Sequence, residues 1–292
     1  MPPRRLPARG WCISSGSLLL AAMFYGLCAA LATTPAPDWQ VLAPGMDLKY
    51  VMVGKPGSSA NSRITILRIN PNLWQLELVG SSQTRDSAGH SVREWCRKEK
   101  FTAAINAGMF ATDQSTHIGY MRSGKDVNNG KRNSYQSVAA FGPREKSLPA
   151  FRIFDLDAPD VSFDTILKDY GSVVQNLRLI KRPGLNQWQQ QDKKWSEAAL
   201  GEDAQGRVLF IFCRLPFSMY ELNQELLAAG IGIVAAQHLE GGPEAQLYFH
   251  VGGEEKEMFG SYETSLEKDD TDAISWPIPN ALAVRPRPAP AP

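Results

Sequence analysis

Several kinds of chemistry are missing from this 292-residue chain. No nucleophile elbow, phosphate-binding loop or dinucleotide fingerprint occurs, so the common signatures of acyl transfer, nucleotide hydrolysis and hydride transfer are absent. No histidine, cysteine and aspartate spacing has the form of a metal site, and neither a metal nor a cofactor is expected. Basic residues form no block and the formal net charge is only +1, which leaves no electrostatic footprint for nucleic acid. The longest apolar run, Leu18 to Ala32, falls short of the roughly 20 residues that a membrane-spanning helix needs. No acidic residue precedes Asp38.

That last absence defines the N-terminus. Arg4, Arg5 and Arg9 are followed by the apolar run and by the small residues of Ala30-Leu31-Ala32, the layout of a secretory signal. Residues 1–32 are therefore expected to be removed before Thr33, with the mature protein periplasmic or secreted and not inserted in a membrane. Leu27 before Cys28 does not fit a lipoprotein signal, and Leu6-Pro7 after Arg4-Arg5 does not fit a twin-arginine one. Removal takes away three arginines and no acid, leaving a formal charge of −2. It also leaves two of the four cysteines, Cys96 and Cys213, either bridged in an oxidising compartment or buried as thiols.

Residues 33–46 are read as a linker and 284–292, with the Arg-Pro-Ala-Pro end, as a tail. The span 47–283 contains no repeat or low-complexity break and is read as one domain. Strands are predicted at 62–69 and 74–79, with Asn70-Pro71-Asn72 as the turn between them. A helix is predicted at 91–98, and a short buried strand at 102–105 delivers Asn106 to its end. Segments 198–202 and 207–213 flank a hairpin loop at 203–206. Ser218 and Glu221 have capping-box spacing ahead of a helix that runs to Ala229 and stops at Gly230. Strands at 231–236 and 245–251 enclose a break at Glu240-Gly241-Gly242. The pattern predicts a strand-rich α+β (mixed α/β) domain with a mixed sheet and few helices.

Three segments end strands at loops, where a rigid sheet holds residues beside a backbone that a ligand can approach. In the first, Asn106 offers donors and an acceptor, Gly108 permits close approach and Phe110 presents a face to a sugar ring; His117 and Gly119 follow. In the second, Gln175 and Arg178 are polar residues in an apolar run over 173–180, and a guanidinium binds phosphate in bidentate fashion. In the third, Glu240 precedes Gly241 and Gly242, whose N–H groups suit an anion-accepting concavity, and burial would raise its pKa toward acid–base use. Taken singly, each is equally well an ordinary turn or strand, and His238 is more readily structural than catalytic.

In this order the segments resemble the phosphodiester glycosidase family. The resemblance rests on Ala104-Ile105-Asn106 with Gly108 and Phe110, on Gly119, and on Ala199-Leu200-Gly201 with its hairpin. It continues through the 218–229 helix to Leu239-Glu240-Gly241-Gly242, covering roughly residues 60 to 252. It implies a mixed α/β core, hydrolysis of a sugar-1-phosphodiester, and a cleft lined by Asn106, Glu240, Gly241 and Gly242 and bordered by Gln175 and Arg178. The chain departs from the family pattern at two places. Glu240 stands where an aspartate is usual, with Pro243-Glu244-Ala245 after the glycines, and Glu197 stands where an arginine often precedes the Ala-Leu-Gly step.

The expectation is an exported hydrolase acting on a sugar phosphodiester or related envelope glycan. Glu240 is assigned as the acid/base carboxylate, Glu244 or Asp113 as its partner, and Arg178 as the anion ligand. Asn106, Gly108, Phe110, His117, Gln175, Gly241 and Gly242 are assigned to substrate binding. The alternatives are a non-catalytic polysaccharide-binding or envelope-assembly protein on the same fold, and a purely structural envelope protein.

Overall fold

The computed structural model describes residues 39–53, 62–84, 89–262 and 274–288. The expected signal segment 1–32 lies outside them, as does the last part of the tail. Every strand ladder among the described residues is antiparallel. The strand-rich reading with few helices therefore stands, but three antiparallel sheets replace the one mixed sheet. The helices Val92–Glu99, Phe163–Asp169 and Met219–Ala228 each cross between two parallel strands, but an antiparallel third strand lies between those two, so hydrogen-bonded neighbours remain antiparallel.

The largest sheet has eight strands in the order Gln40–Ala43, Met46–Met52, Arg63–Ile69, Val208–Phe217, Trp195–Asp203, Ile233–Gly241, Arg178–Lys181 and Leu185–Asn186. A second sheet of five runs Asp126–Asn129, Met121–Ser123, Tyr170–Asn176, Ser137–Pro143 and Phe151–Asp155. The third, also of five, runs Glu254–Phe259, Gln246–Val251, Ala103–Asn106, Asn280–Pro286 and Trp74–Gly80. One apolar cluster joins all three, with Met46, Leu200 and Phe210 meeting Phe141 and Ile153 of the second sheet and Ile105, Leu247 and Val284 of the third. Burial of these side chains supplies the cohesion between layers, at about 25 cal/mol per Å² of apolar surface.

Sequence chemistry accounts for the helices. Met219–Ala228 begins at Ser218, whose hydroxyl accepts from the Glu221 amide while the Glu221 carboxylate accepts from the Ser218 amide. It ends before Gly230, which adopts φ +64°, a conformation glycine takes without penalty. Its buried face, Met219, Leu222 and Leu226, covers the outer side of the large sheet over Ile64, Ala199 and Cys213. Val92–Glu99 carries the same reciprocal cap at Ser91 and Glu94, and the buried Trp95 donates its indole N–H to the Ile278 carbonyl at 3.1 Å. A third helix, Phe163–Asp169, is not among the sequence expectations.

Three boundaries need correction. The expected linker 33–46 is too long, because Gln40–Ala43 pairs with Met46–Met52 and both Leu42 and Met46 join the core. The expected tail begins too early, since Val284 is fully buried in a strand that continues to Pro286. The apolar run 173–180 is not one strand. It breaks at Leu177, with Tyr170–Asn176 in the second sheet and Arg178–Lys181 in the large one, so Gln175 and Arg178 belong to different sheets.

Cys96 lies on the buried face of the 92–99 helix and Cys213 packs under the 219–228 helix, in separate apolar clusters and without a bridge. Burial pushes both thiols well above the ordinary range, which suppresses the reactive thiolate. Alkylation of the native protein at pH 8 should leave Cys96 and Cys213 unmodified, and the same treatment in denaturant should label both. Peptide mapping of an oxidised Cys96–Cys213 pair would contradict this arrangement.

Candidate functional site

The paired ends of Trp195–Asp203 and Ile233–Gly241 form the centre of the site. Glu197 stands opposite Gly241, Ala198 opposite Glu240 and Ala199 opposite His238, so Leu239 is an extra residue on the second strand. Such a bulge interrupts the strict alternation of side chains and re-aims them locally. Glu197 is buried at the end of an otherwise apolar stretch, Ala198-Ala199-Leu200, and a carboxylate there needs partners. It has two. Its Oε1 lies 2.6 Å from His238 Nδ1, and its Oε2 accepts from the Trp195 indole N–H at 2.9 Å. The Trp195 ring stands edge-on to His238, centroids 6.4 Å apart.

Electrostatics set the protonation of this group. Burial pulls the His238 imidazolium down, but the adjacent Glu197 carboxylate more than offsets it, and the pKa of His238 is raised. Burial acts in the opposite sense on Glu240, lifting it to about 7 against the lowering influence of His238 and of the Gly241 amide, which donates to Oε1 at 3.1 Å. The charges of Glu244 and Glu197 push it the same way as burial. A carboxyl group poised near neutrality is able to give or take a proton at working pH.

The backbone after Glu240 is held by a brace. Gly242, at φ +64°, starts the short 3-10 turn Gly242–Glu244. Asn106 donates Nδ2 to the Glu244 carbonyl at 2.8 Å and accepts from the Gln246 amide at 2.7 Å. Asn106 thus does reach the acidic turn, but each end of its amide is used to hold that turn. Gly241 has a steric reason, since a Cβ there would lie 2.6 Å from Trp195 Cδ1.

The other expected residues divide. Arg178 donates to Asp155 at 3.3 Å, to Asp157 at 2.7 Å and to Gln187 at 2.8 Å, so its guanidinium is committed to neighbouring carboxylates. Gln175 is buried and its amide staples a loop, donating to the Asn133 and Tyr135 carbonyls and accepting from the Tyr120 and Asn133 amides. His117 is buried against the Gln175 carbonyl at 2.9 Å, and burial lowers its pKa to about 4, so it is neutral at physiological pH. Phe110 bridges to His117 and packs on the cluster of Trp95 and Tyr248. Asp113 is exposed and accepts from the Thr116 hydroxyl and amide and the Ser115 amide. Those bonds lower it to about 2, a value unsuited to donating a proton near neutrality. Glu244 adjoins Glu240 through the turn, and of the two partner carboxylates it is the one this geometry favours.

Trp195 and the Glu197–His238 pair are the residues that sequence reasoning undervalued. The available signal was an acid inside an apolar strand, with His238 on another apolar strand and each in need of a buried partner. No group of three or more His, Cys, Asp or Glu side chains suited to a metal ion occurs among the described residues.

Comparison with known proteins adds the family. The family model for phosphodiester glycosidases matches residues 99–285, which include Asn106, Glu197, His238 and Glu240. The chain belongs to the phosphodiester glycosidase family. No curated protein matches it in sequence. Its fold is similar to that of the catalytic domain of zebrafish N-acetylglucosamine-1-phosphodiester alpha-N-acetylglucosaminidase, described as auto-inhibited by its pro-peptide. That match has 14% identity and a TM-score of 0.60, covering 86% of this chain and 88% of that one. A hypothetical protein from Synechocystis is similar at 14% identity and a TM-score of 0.53, covering 87% of this chain and 64% of that one.

Two measurements check the site geometry. Glu197→Gln should lower the His238 pKa, seen by NMR as an imidazole titration whose midpoint moves to lower pH, because burial then acts without its counter-charge; an unchanged midpoint would remove the pair. Gly108→Ala should destabilise the fold by about 1–3 kcal/mol. Gly108 adopts φ +149°, and a Cβ there would sit 2.3 Å from Asn176 Oδ1 and 2.4 Å from His117 Cε1. Thermal denaturation reads that loss.

Proposed function

We propose that this phosphodiester glycosidase family member is an exported hydrolase that cleaves a glycosyl phosphodiester or a related envelope glycoconjugate. The observation that carries the proposal is Glu240, held at a strand end with a pKa of about 7 beside a buried carboxylate–imidazole pair. Its family membership supports a hydrolytic role, and the basic, apolar and small-residue order of residues 4–32 supports export.

In this reading protonated Glu240 gives its proton to the oxygen leaving the anomeric carbon as the glycosidic C–O bond breaks. Water attacks the same carbon, its proton goes to a carboxylate, and the free sugar departs. Glu244 is the carboxylate assigned to the water, since glycoside hydrolysis ordinarily takes a pair. Glu197 and His238 are positioning residues whose hydrogen-bonded pair stands beside Glu240. Asn106 keeps the acidic turn in place.

Two observations favour a glycan-binding protein without turnover. Arg178, the residue expected to meet a phosphate, is tied to Asp155 and Asp157, and Glu197 occupies the place of the family arginine. A glycan array with product analysis separates the readings, because a binder returns its ligand unchanged.

Purified protein and its Glu240→Gln variant should be incubated with aryl glycosides and sugar-1-phosphodiesters. Wild type should release sugar, and the variant should lose at least about 100-fold in kcat/KM; full retained activity would remove Glu240 from the mechanism. The wild-type rate should fall on the alkaline side through a pKa near 7. Stability gives a parallel test. With the folded pKa of Glu240 raised from 4.5 to about 7, its contribution is intact below pH 4.5 and lost as pH rises through 7. Glu240→Gln should therefore melt with wild type at pH 4.5 and above it at pH 8.5.

A further inference from the structure

Beside the Glu240 site lies a groove of about 340 Å³, a volume typical of small-ligand sites. It follows the sheet strand next to the catalytic one. The Leu177 carbonyl accepts from the His238 amide at 2.9 Å, and Arg178 stands opposite Gln237. Glu240 is three residues further along, roughly 10 Å at ~3.3 Å per residue. Leu177 and Trp188, which line the groove, rest on the same apolar cluster as Trp195.

The groove is built by an unusual segment, Asn186-Gln187-Trp188-Gln189-Gln190-Gln191, in which carboxamides surround one indole. Trp188 is fixed at two points: its indole N–H donates to the Arg178 carbonyl at 2.9 Å, and its backbone N–H donates to Asn186 Oδ1 at 3.1 Å. It is half-buried, an aromatic platform that has little freedom left to lose on binding. Gln187 accepts from Arg178 through Oε1, which leaves its Nε2 to donate outward. Gln136, Gln189 and Tyr135 also line it. Carboxamides both donate and accept without charge, as hydroxyl groups do, and an indole face packs on the C–H face of a sugar ring.

Charge excludes the other obvious ligand. Among the described residues the cation lining the groove is Arg178; it is neutralised by Asp155 and Asp157, and Asp157 also holds Lys181 at 2.9 Å. A phosphate would displace these contacts and meet two carboxylates. We infer that the Tyr135–Trp188 groove is a subsite for uncharged saccharide units, positioning the glycan beside the bond presented to Glu240. The inference rests on the glycan-directed reading above, yet it concerns binding and is separable from turnover.

The full chain carrying Glu240→Gln, which leaves the ligand intact, should be titrated calorimetrically with neutral oligomers of N-acetylglucosamine, mannose and glucose. Inorganic phosphate and glucose-1-phosphate serve as competitors. At least one neutral series should bind, more tightly with added units. Trp188→Ala, and separately Gln187→Ala, should each weaken binding at least tenfold, Trp188→Phe should retain most of it, and phosphate should not compete. Gln187 and Gln189 are exposed, so their variants keep the test valid if Trp188→Ala fails to fold. The inference is overturned if no neutral series binds, if the Gln187 and Trp188 variants bind like the parent, or if phosphate displaces the sugar. Binding without cleavage by wild type sinks the hydrolase and keeps the groove; cleavage of sugar-1-phosphodiesters without neutral-oligomer binding sinks the groove alone.

Discussion

The ladder between Trp195–Asp203 and Ile233–Gly241 is the constraint from which the rest of the site follows. Its first strand is buried on both faces, with Ala198 and Leu200 in the inter-sheet core and Ala199 under the 219–228 helix. A one-residue slip would exchange those faces and is therefore costly. Both ends of this strand carry a buried acid. At one end Glu197 meets His238. At the other, Glu202 is held by Arg152 at 3.2 Å, Arg182 at 2.6 Å and the Ile153 amide at 2.7 Å. The two ends differ in consequence. Glu202 is neutralised by two guanidinium groups, whereas Glu197 pairs with an imidazole whose charge depends on pH. The Glu197 end couples to a titrating neighbour, because there the bulge at Leu239 sets Glu240.

Carboxamides do two jobs in this fold, separated by burial. Inside, Asn106, Gln175 and Gln246 tie loops to strands through backbone contacts, with Gln246 accepting from the Val92 amide and donating to the Trp276 carbonyl. Neutral amides suit that work because they satisfy backbone groups without a buried charge. Outside, the same chemistry is exposed at Gln187, Gln189 and Gln190 around Trp188. Glycine enables the close approaches on which the interior arrangement depends, at Gly108 against Asn176 and His117 and at Gly241 against Trp195.

Much of the local structure was legible in advance. The reciprocal caps at Ser218 and Glu221, the hairpin loop after Asp203 and the strands flanking Asn70-Pro71-Asn72 all depend on contacts within a few residues. The Asp203 carboxylate closes its own loop by accepting from the Gln205 and Arg207 amides. What misled was continuity. Residues 173–180 look like one apolar strand because both halves are buried, although they face different sheets, and a switch of sheet leaves no mark on hydrophobic periodicity. The site residues failed in a similar way: Gln175, Asn106 and Arg178 have the right functional groups, but their partners 40, 138 and 23 residues away had already engaged them.

The sequence by itself determined the family resemblance, the strand-rich content, the capped helices and Glu240 as the acid to watch, because these rest on residue type and short-range geometry. Tertiary structure alone decided which acid is paired, which is poised and which is merely a loop brace. Burial and distance set a pKa, and both come from residues far apart in the chain. Glu197 lies 41 residues from His238, and only the ladder that joins their strands brings the carboxylate within 2.6 Å of the imidazole.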